Sequence, residues 1–532
     1  MPTVASSSSS LIARLAAWYD ATIRDLGRQF RWSFLPPLMV YFAAGISGLT
    51  AIVGAFFVKD FLGLSAEFLA GLAFWAGLPW ALKMPLGHLV DVIWRWKALL
   101  VYLGAALIAA SLLIMYALIA HAEAMGDVLE IEVWFVLSVL LAPCGYVLQD
   151  AVADAMSVEA VPRVDADGVA LDEDRLKALH TTMQTFGRFA LISGLVFVAV
   201  LNIFMFDGID ARSEAEKAAI YAQIYLAGLA IPLVSVIGVV LASVLRHRRR
   251  RSLEAEGWRK EAIAAALDGD GEPTRPNFWY SGGGLAFALI SVAVGLSDTR
   301  FAQEIVFAGS MAIVLVLMLR LAQELPRAQA RALFGTALII FVFRATPLPG
   351  PGATWFEIDV LGFDQQFLAI LSLITSLLAL VGMVVLRPMM ARRPITQLVL
   401  LLTLGAGVLS LPNIGLFYGL HEWTAARTGG VVDAHFIAII DTAIESPLGQ
   451  IAMIPMLAWI AKNAPDHLKA TFFAVMASFT NLALSASSLA TRYLNGVYEV
   501  SREVRDRDTG LLVVGADYSE LGTLLITVAV VG

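Results

Sequence analysis

Two acidic pairs stand inside apolar stretches of this chain, Asp150 with Asp154 and Asp441 with Glu445. Each pair is spaced four residues apart, which on a helix puts both carboxylates on one face. Arg188 and Arg344 also interrupt apolar runs. A charge at the centre of a bilayer costs about 2.5–3.5 kcal/mol on insertion scales, so charges retained there need a reason. One reason is proton traffic. A carboxylate poised between desolvation and a neighbouring arginine can load and release a proton. Arg344 is then the natural counter-charge or the contact for a solute anion, and Arg188 a second candidate. Gln450, His180 and Gln184 could line the same cavity or make interhelical polar contacts. For Asp154 and Glu159 another reading stays open, pairing with loop bases at a membrane end.

Other chemistries lack their residues. There is no GxxxxGK[ST] phosphate loop and no HExxH motif, so neither ATP hydrolysis nor a metalloprotease is expected. The single cysteine, Cys144, excludes an intrachain disulfide and a CxxC metal site, and reads as a small buried hydrophobe. No catalytic activity, metal or cofactor is expected.

The elements that must position these charges are membrane helices. Of 532 residues, 59% are hydrophobic and 15% charged, against about 45–50% and about 25% in soluble domains. Apolar runs of the length a helix needs to cross the hydrocarbon core predict an all-α membrane protein. We expect fourteen spanning segments: 34–58, 65–88, 98–120, 131–157, 180–204, 219–245, 278–297, 303–323, 332–356, 366–388, 395–418, 435–461, 468–495 and 519 to the end. The last is too short to span, which reads as a truncation. Residues 11–30 read as an amphipathic helix on the membrane surface. The loop after the sixth segment carries Arg246, Arg248, Arg249, Arg250, Arg251, Arg259, Lys260 and Arg275, whereas 121–133 carries no Lys or Arg. Such a run reads as a topology anchor, not a nucleic-acid site, and places both termini in the cytoplasm.

An internal repeat divides the chain. DFLGLSAEFLAGL (60–72) and DVLGFDQQFLAIL (359–371) share Asp, Leu, Gly, Phe, Leu, Ala and the final Leu at an offset of 299. Asp150 and Asp154 match Asp441 and Glu445 at 291, and Leu176–Ala178 match Leu468–Ala470 at 292. Two homologous six-helix halves follow, the arrangement of major facilitator transporters. The expected domains are a tail (1–33), an N-terminal half (34–245), a basic loop (246–277), two inserted helices (278–323) and a C-terminal half (332–532). The first and fourth helices of each half then line the central cavity, which brings the acidic pairs and Arg344 toward it. Gly45 stands where the offset of 299 would put a counterpart of Arg344.

The second segment ends in PWALKMPLGHLVDVIWRWKALL. Lys83, Gly87, Asp91, Arg95 and Lys97 within it resemble the loop signature of the major facilitator superfamily, with Trp94 where a glycine is usual. There Gly87 would permit close helix contact and Asp91 would hold cationic groups across a gate. PWALKMPLGHLVD (79–91), QDAVADAMSVEAV (149–161), RATPLPGPGATWFEIDVLGFDQQFLAIL (344–371) and IESPLGQIAMIPMLAWIAKNAPDHLKATFFAVMASFTN (444–481) resemble the folate–biopterin transporter family within that superfamily. Lys83, Gly87, Asp91, Asp150, Asp154, Glu159, Pro347, Gly362, Gln450, Pro455, Pro465, Ser478 and Asn481 fall on the matching positions. The inserted helix pair and Lys469, where the family commonly has an acid, depart from the pattern.

The resemblance implies a proton-coupled carrier of an organic, ring-containing and anionic solute. It would work as a monomer in the bacterial inner membrane, with lipid, solute and protons as partners. Two other readings remain open: a non-transporting membrane assembly factor, for instance in pigment–protein biogenesis, and a carrier of an unrelated solute such as a peptidoglycan fragment. The ATPLPGPG stretch after Arg344 should break its helix and free backbone groups toward a cavity.

Overall fold

A computed structural model describes residues 24–58, 64–81, 83–162, 171–260, 262–263, 267, 278–295, 297, 299–323, 326–386, 395–447, 469–505 and 512–532. The main helices are α1 (Leu35–Ile46), α2 (Ala51–Phe57), α3 (Ala66–Ala81), α4 (Lys83–Val92), α5 (Ala98–Ala120), α6 (Ile131–Ala160) and α7 (Glu173–Met205). They continue with α8 (Glu214–Gly228), α9 (Ala230–Ala255), α10 (Phe278–Gly295), α11 (Ala302–Gln323), α12 (Arg327–Arg344) and α13 (Pro351–Asp359). The remainder are α14 (Gln365–Val385), α15 (Ile395–Leu409), α16 (Leu411–Phe417), α17 (Ala434–Glu445), α18 (Lys469–Val497) and α19 (Leu521–Val531). Strands β1 (Val504–Arg505) and β2 (Leu512–Val514) form a small antiparallel hairpin before α19.

Among the described residues, seven helices are long and apolar enough to cross a membrane. Shorter apolar helices occupy 286–295, 302–316, 333–344 and 521–531. The expected boundaries at 58–65, 387–394 and 448–468 fall wholly or partly outside the described residues, as do residues 11–23 of the expected surface helix.

The halves meet along two seams. In one, α3 packs along α18; in the other, α7 packs along α14. The repeat offsets exchange these helices: adding 299 to α3 gives α14, and adding 292 to α7 gives the region of α18. The seams are therefore related by a pseudo-twofold axis, as the fold requires. Helices α10 and α11 lie outside the first seam. α11 packs on both α18 and α3, and α10 packs on α11 and α4.

Within the N-terminal half, α1 packs against α7, α9 and α6, and α5 packs against α6. Without a hydrophobic drive between helices in lipid, such packing rests on backbone proximity. A Cβ at Gly45 would run into Leu191 O, and one at Gly194 would stand 2.5 Å from Phe42 O. The α5–α6 crossing is as tight, with a Cβ at Gly104 falling 2.6 Å from Gly145 O.

The halves are tied at the end remote from the Arg246–Arg251 run. Gln365 Nε2 donates to Tyr221 Oη at 2.6 Å, and Gln366 Nε2 to Asp207 Oδ1 at 3.3 Å. Arg502, beside β1, donates to Val58 O at the end of α2 and lies over the Trp355 ring. Tyr518, in the loop before α19, donates to Asp359 at 2.6 Å; burial and that carboxylate push its hydroxyl well above the ordinary value.

Candidate functional site

The site forms where α1, α4 and α6 converge. Asp150 and Asp154 share a face of α6, and Lys83, near the start of α4, reaches both. Its Nζ lies 2.6 Å from Asp150 Oδ2 and 2.8 Å from Asp154 Oδ2. Tyr41 of α1 donates to Asp154 Oδ1 at 2.8 Å. One ammonium thus satisfies two intramembrane carboxylates that neither could leave bare. Side-chain exposure rises from 20% at Asp150 to 45% at Asp154, toward the basic end of the bundle. The sequence places Lys83 in the loop signature; its role with these acids comes from the fold. The signal for it was its spacing: Lys83 lies two turns before Asp91, inside the helix instead of in the loop.

Arg188 of α7 lies close enough to Asp150 and to Arg344 for a Coulomb interaction with each. Arg344 ends α12, and its Nε is buried with no hydrogen-bond partner among the described residues. Two arginines from opposite halves therefore repel each other, with the carboxylate of Asp150 beside Arg188. Counting Lys83, Arg188 and Arg344 against Asp150 and Asp154 leaves one positive charge uncompensated.

The second acidic pair is set differently. Asp441 of α17 is buried, and its Oδ2 accepts from Asn413 Nδ2 at 3.1 Å while Oδ1 has no partner among the described residues. Glu445 is exposed. Arg344 makes no ion pair with either acid among the described residues; Asn413 is the hydrogen-bond partner of Asp441. Gln450 lies outside the described residues.

Of the loop signature, Lys97 pairs with Glu159 at 2.7 Å and sits 3.7 Å from the Trp94 ring centroid. Arg246 joins Glu159 at 3.2 Å. Glu159 thus anchors the basic end of α6 instead of facing a cavity. The side chains of Asp91 and Arg95 lie outside the described residues. Gly87 makes no close helix contact among the described residues: a Cβ there would meet none of their atoms within 4 Å. The close approaches are at Gly45–Gly194 and Gly104–Gly145.

The helix carrying Arg344 breaks where expected, between α12 and α13, with Gly350 at φ +81°. Three of the freed backbone groups are bonded within the protein. A polar stripe on α18 takes them: Thr491 Oγ1 accepts from Leu348 N at 2.9 Å, and Asn495 Nδ2 donates to Pro349 O at 3.1 Å. Ser487 Oγ donates to Thr346 O at 2.5 Å. These three residues recur every fourth position along an apolar helix, a pattern visible in the sequence. Gln184 donates to Ser157 Oγ at 3.3 Å, and Asn481 to Trp80 O at 2.9 Å across the α3–α18 seam.

Comparison with known proteins agrees with this architecture. Residues 311–531 match the BT1 family. A folate–biopterin transporter from Synechocystis sp. is 24% identical over 504 residues, covering 93% of this chain and 81% of that protein. Among solved structures, a POT family transporter in complex with 5-aminolevulinic acid aligns with TM-score 0.58 at 13% identity, over 95% of both chains. A POT family transporter bound to a thioalcohol-conjugated peptide aligns with TM-score 0.59 at 14% identity, again over 95% of both. A nucleoside transporter aligns with TM-score 0.53 at 11% identity, over 94% of this chain and 96% of that one. The resemblance to folate–biopterin transporters read from the sequence is borne out. The chain is an integral membrane protein of the major facilitator fold.

Proposed function

We propose that the chain is a secondary active transporter that moves an organic, anionic, ring-containing solute of the folate or pterin class by alternating access, coupled to protons. The observation that carries this reading is the unbalanced charge cluster between the halves. Three cations meet two carboxylates, and the extra charge belongs to an arginine pair contributed by both halves. A solute carboxylate bound between Arg188 and Arg344 would neutralise it and relieve their repulsion, drawing the halves together.

The same charge count supports proton coupling. Protonating Asp150 or Asp154 raises the positive excess and favours anion binding; by linkage, a bound anion favours the proton by the same factor. Asp441 and Glu445 are the further candidates in the second half. By the positive-inside rule the Arg246–Arg251 end is cytoplasmic, as are both termini. The ties at the opposite end and the greater exposure of Asp154 then correspond to a state open to the cytoplasm.

Uptake of radiolabelled folic acid into proteoliposomes tests the reading. We expect saturable uptake in the wild type, and about a tenfold or greater rise in KM for Arg344→Gln and for Arg188→Gln, since a charge-assisted hydrogen bond contributes about 1.5–3 kcal/mol. Absence of uptake, with a stable protein partner co-purifying, would favour the assembly-factor reading.

A further inference from the structure

A cavity of 410 Å³ opens on the same track as the charge cluster, on the side remote from the basic run. That volume is within the roughly 300–1,000 Å³ usual for small-molecule sites. On α6 its lining residues Phe135, Ser138, Ala142 and Tyr146 descend by three or four residues to Asp150 and Asp154, one continuous stripe. On the other wall Pro351, Thr354 and Trp355 of α13 follow the break after Arg344. The cavity is therefore built by both halves, and on α6 its last lining residue, Tyr146, stands one turn before Asp150.

Its lining is mostly apolar, with few polar groups. Ser111 and Ser138 spend their hydroxyls on each other, at 3.0 Å. Tyr225 differs. It is 4% exposed, borders the cavity, and its hydroxyl has no hydrogen-bond partner among the described residues. The nearest atom-level neighbour that glycine leaves room for is at Gly54, where a Cβ would stand 3.7 Å from Tyr225 Oη. That hydroxyl keeps its hydrogen-bonding capacity for a molecule that enters the cavity, since the described residues do not use it. Trp355, 3% exposed, presents an aromatic surface to the same space.

We infer that this cavity is the ring-specificity subsite of the transporter: an uncharged heteroaromatic ring enters it against Trp355, with a ring heteroatom hydrogen-bonded to Tyr225 Oη, while the solute's carboxylate stays on the arginine pair. The inference rests on the proposed function and adds what sets solute identity. Apolar walls admit many flat rings, and the Tyr225 hydroxyl selects those with an edge that can donate or accept. A site built around a hydrogen bond rejects analogues lacking it more strongly than apolar walls can.

The test compares two probes on the purified full-length protein: folic acid, and p-aminobenzoylglutamate, which keeps the carboxylates and lacks the pterin ring. The wild type should bind folic acid at least tenfold more tightly. Tyr225→Phe, which keeps the ring and its packing, should weaken folic acid about tenfold and leave p-aminobenzoylglutamate unchanged. Gly54→Val, which fills the space beside the hydroxyl, should do the same, with thermal melting confirming that both variants fold. Arg344→Gln should weaken both probes together. Equal affinity of the wild type for the two probes, or equal loss of both in Tyr225→Phe and Gly54→Val, overturns the subsite and leaves the transporter reading standing. Binding of neither probe by the wild type overturns the solute class itself, and the subsite with it.

Discussion

At the residue scale, Lys83 is the most exposed to test. It joins α4 to two carboxylates on α6, at 2.6 and 2.8 Å. Lys83→Met would leave both acids without their ion-pair partner, with only the more distant Arg188 to favour the charge on Asp150. Removing one partner of a fully buried pair costs about 3–5 kcal/mol, and the partial exposure of these side chains lowers that figure. We expect a clear fall in melting temperature for Lys83→Met, and partial recovery on adding Asp150→Asn, because the second change removes the charge the first left bare. Additive losses in the double variant would show that the contact contributes nothing. The acids themselves were legible in the sequence, since charge inside an apolar run stands out. Their partner was not, because helix pairing across 67 residues of chain is set by packing that periodicity does not encode.

At the element scale, glycines decide where helices touch. Gly194 of α7 admits the Phe42 carbonyl of α1, leaving no room for a side chain. Gly194→Val should prise α1 from α7; overpacking of this kind costs about 1–3 kcal/mol. The purified variant should melt below wild type, whereas Gly87→Ala, in open space, should not. A wild-type melt for Gly194→Val would contradict the packing described. From sequence, Gly87 was the glycine singled out, on the strength of a motif; the contact glycines carry no motif and emerge only once α1 and α7 are set side by side. The broken helix gives the complementary lesson. Its position was written in Pro347, Pro349 and Gly350, but the destination of its freed backbone groups depended on Ser487, Thr491 and Asn495, 141–146 residues away.

The pair α10–α11 belongs to the same scale. Gln303 of α11 donates to Gly71 O of α3 at 3.2 Å and accepts from Arg492 of α18 at 3.2 Å. Arg492 also lies 3.4 Å from Glu67 of α3. One glutamine thus touches both sides of a seam between the halves. Gln303→Leu should lower the melting temperature by removing two contacts at once, a loss on the order of 1–3 kcal/mol if Gly71 O is left unsatisfied. An unchanged melt would show that the pair rests on apolar packing alone.

At the scale of the whole molecule, the repeat did most to reveal the architecture. Offsets of 299 and 292 announced two halves, and the seams α3–α18 and α7–α14 are the pairs those offsets exchange. The halves are nonetheless chemically unequal. One carries a lysine-bridged acid pair, the other an amide-bound Asp441, and Arg344 faces Gly45's position in the repeat. Sequence symmetry suggested matching acidic pairs; the fold separates them, because Lys83 has no counterpart at its repeat position, where Gly382 stands. Such asymmetry suits a carrier in which one half holds the coupling charge and both halves contribute to the anion contact.

That division makes the pH gradient the decisive variable. The measurement is the initial rate of folic acid uptake into proteoliposomes with and without an imposed inward proton gradient, in the wild type, in Asp150→Asn, and in Asp441→Asn with Glu445→Gln. We expect gradient-stimulated uptake in the wild type and loss of that stimulation in Asp150→Asn, with exchange of solute across the membrane retained. Wild-type uptake indifferent to the gradient, or full gradient stimulation in both sets of acid variants, would contradict this expectation.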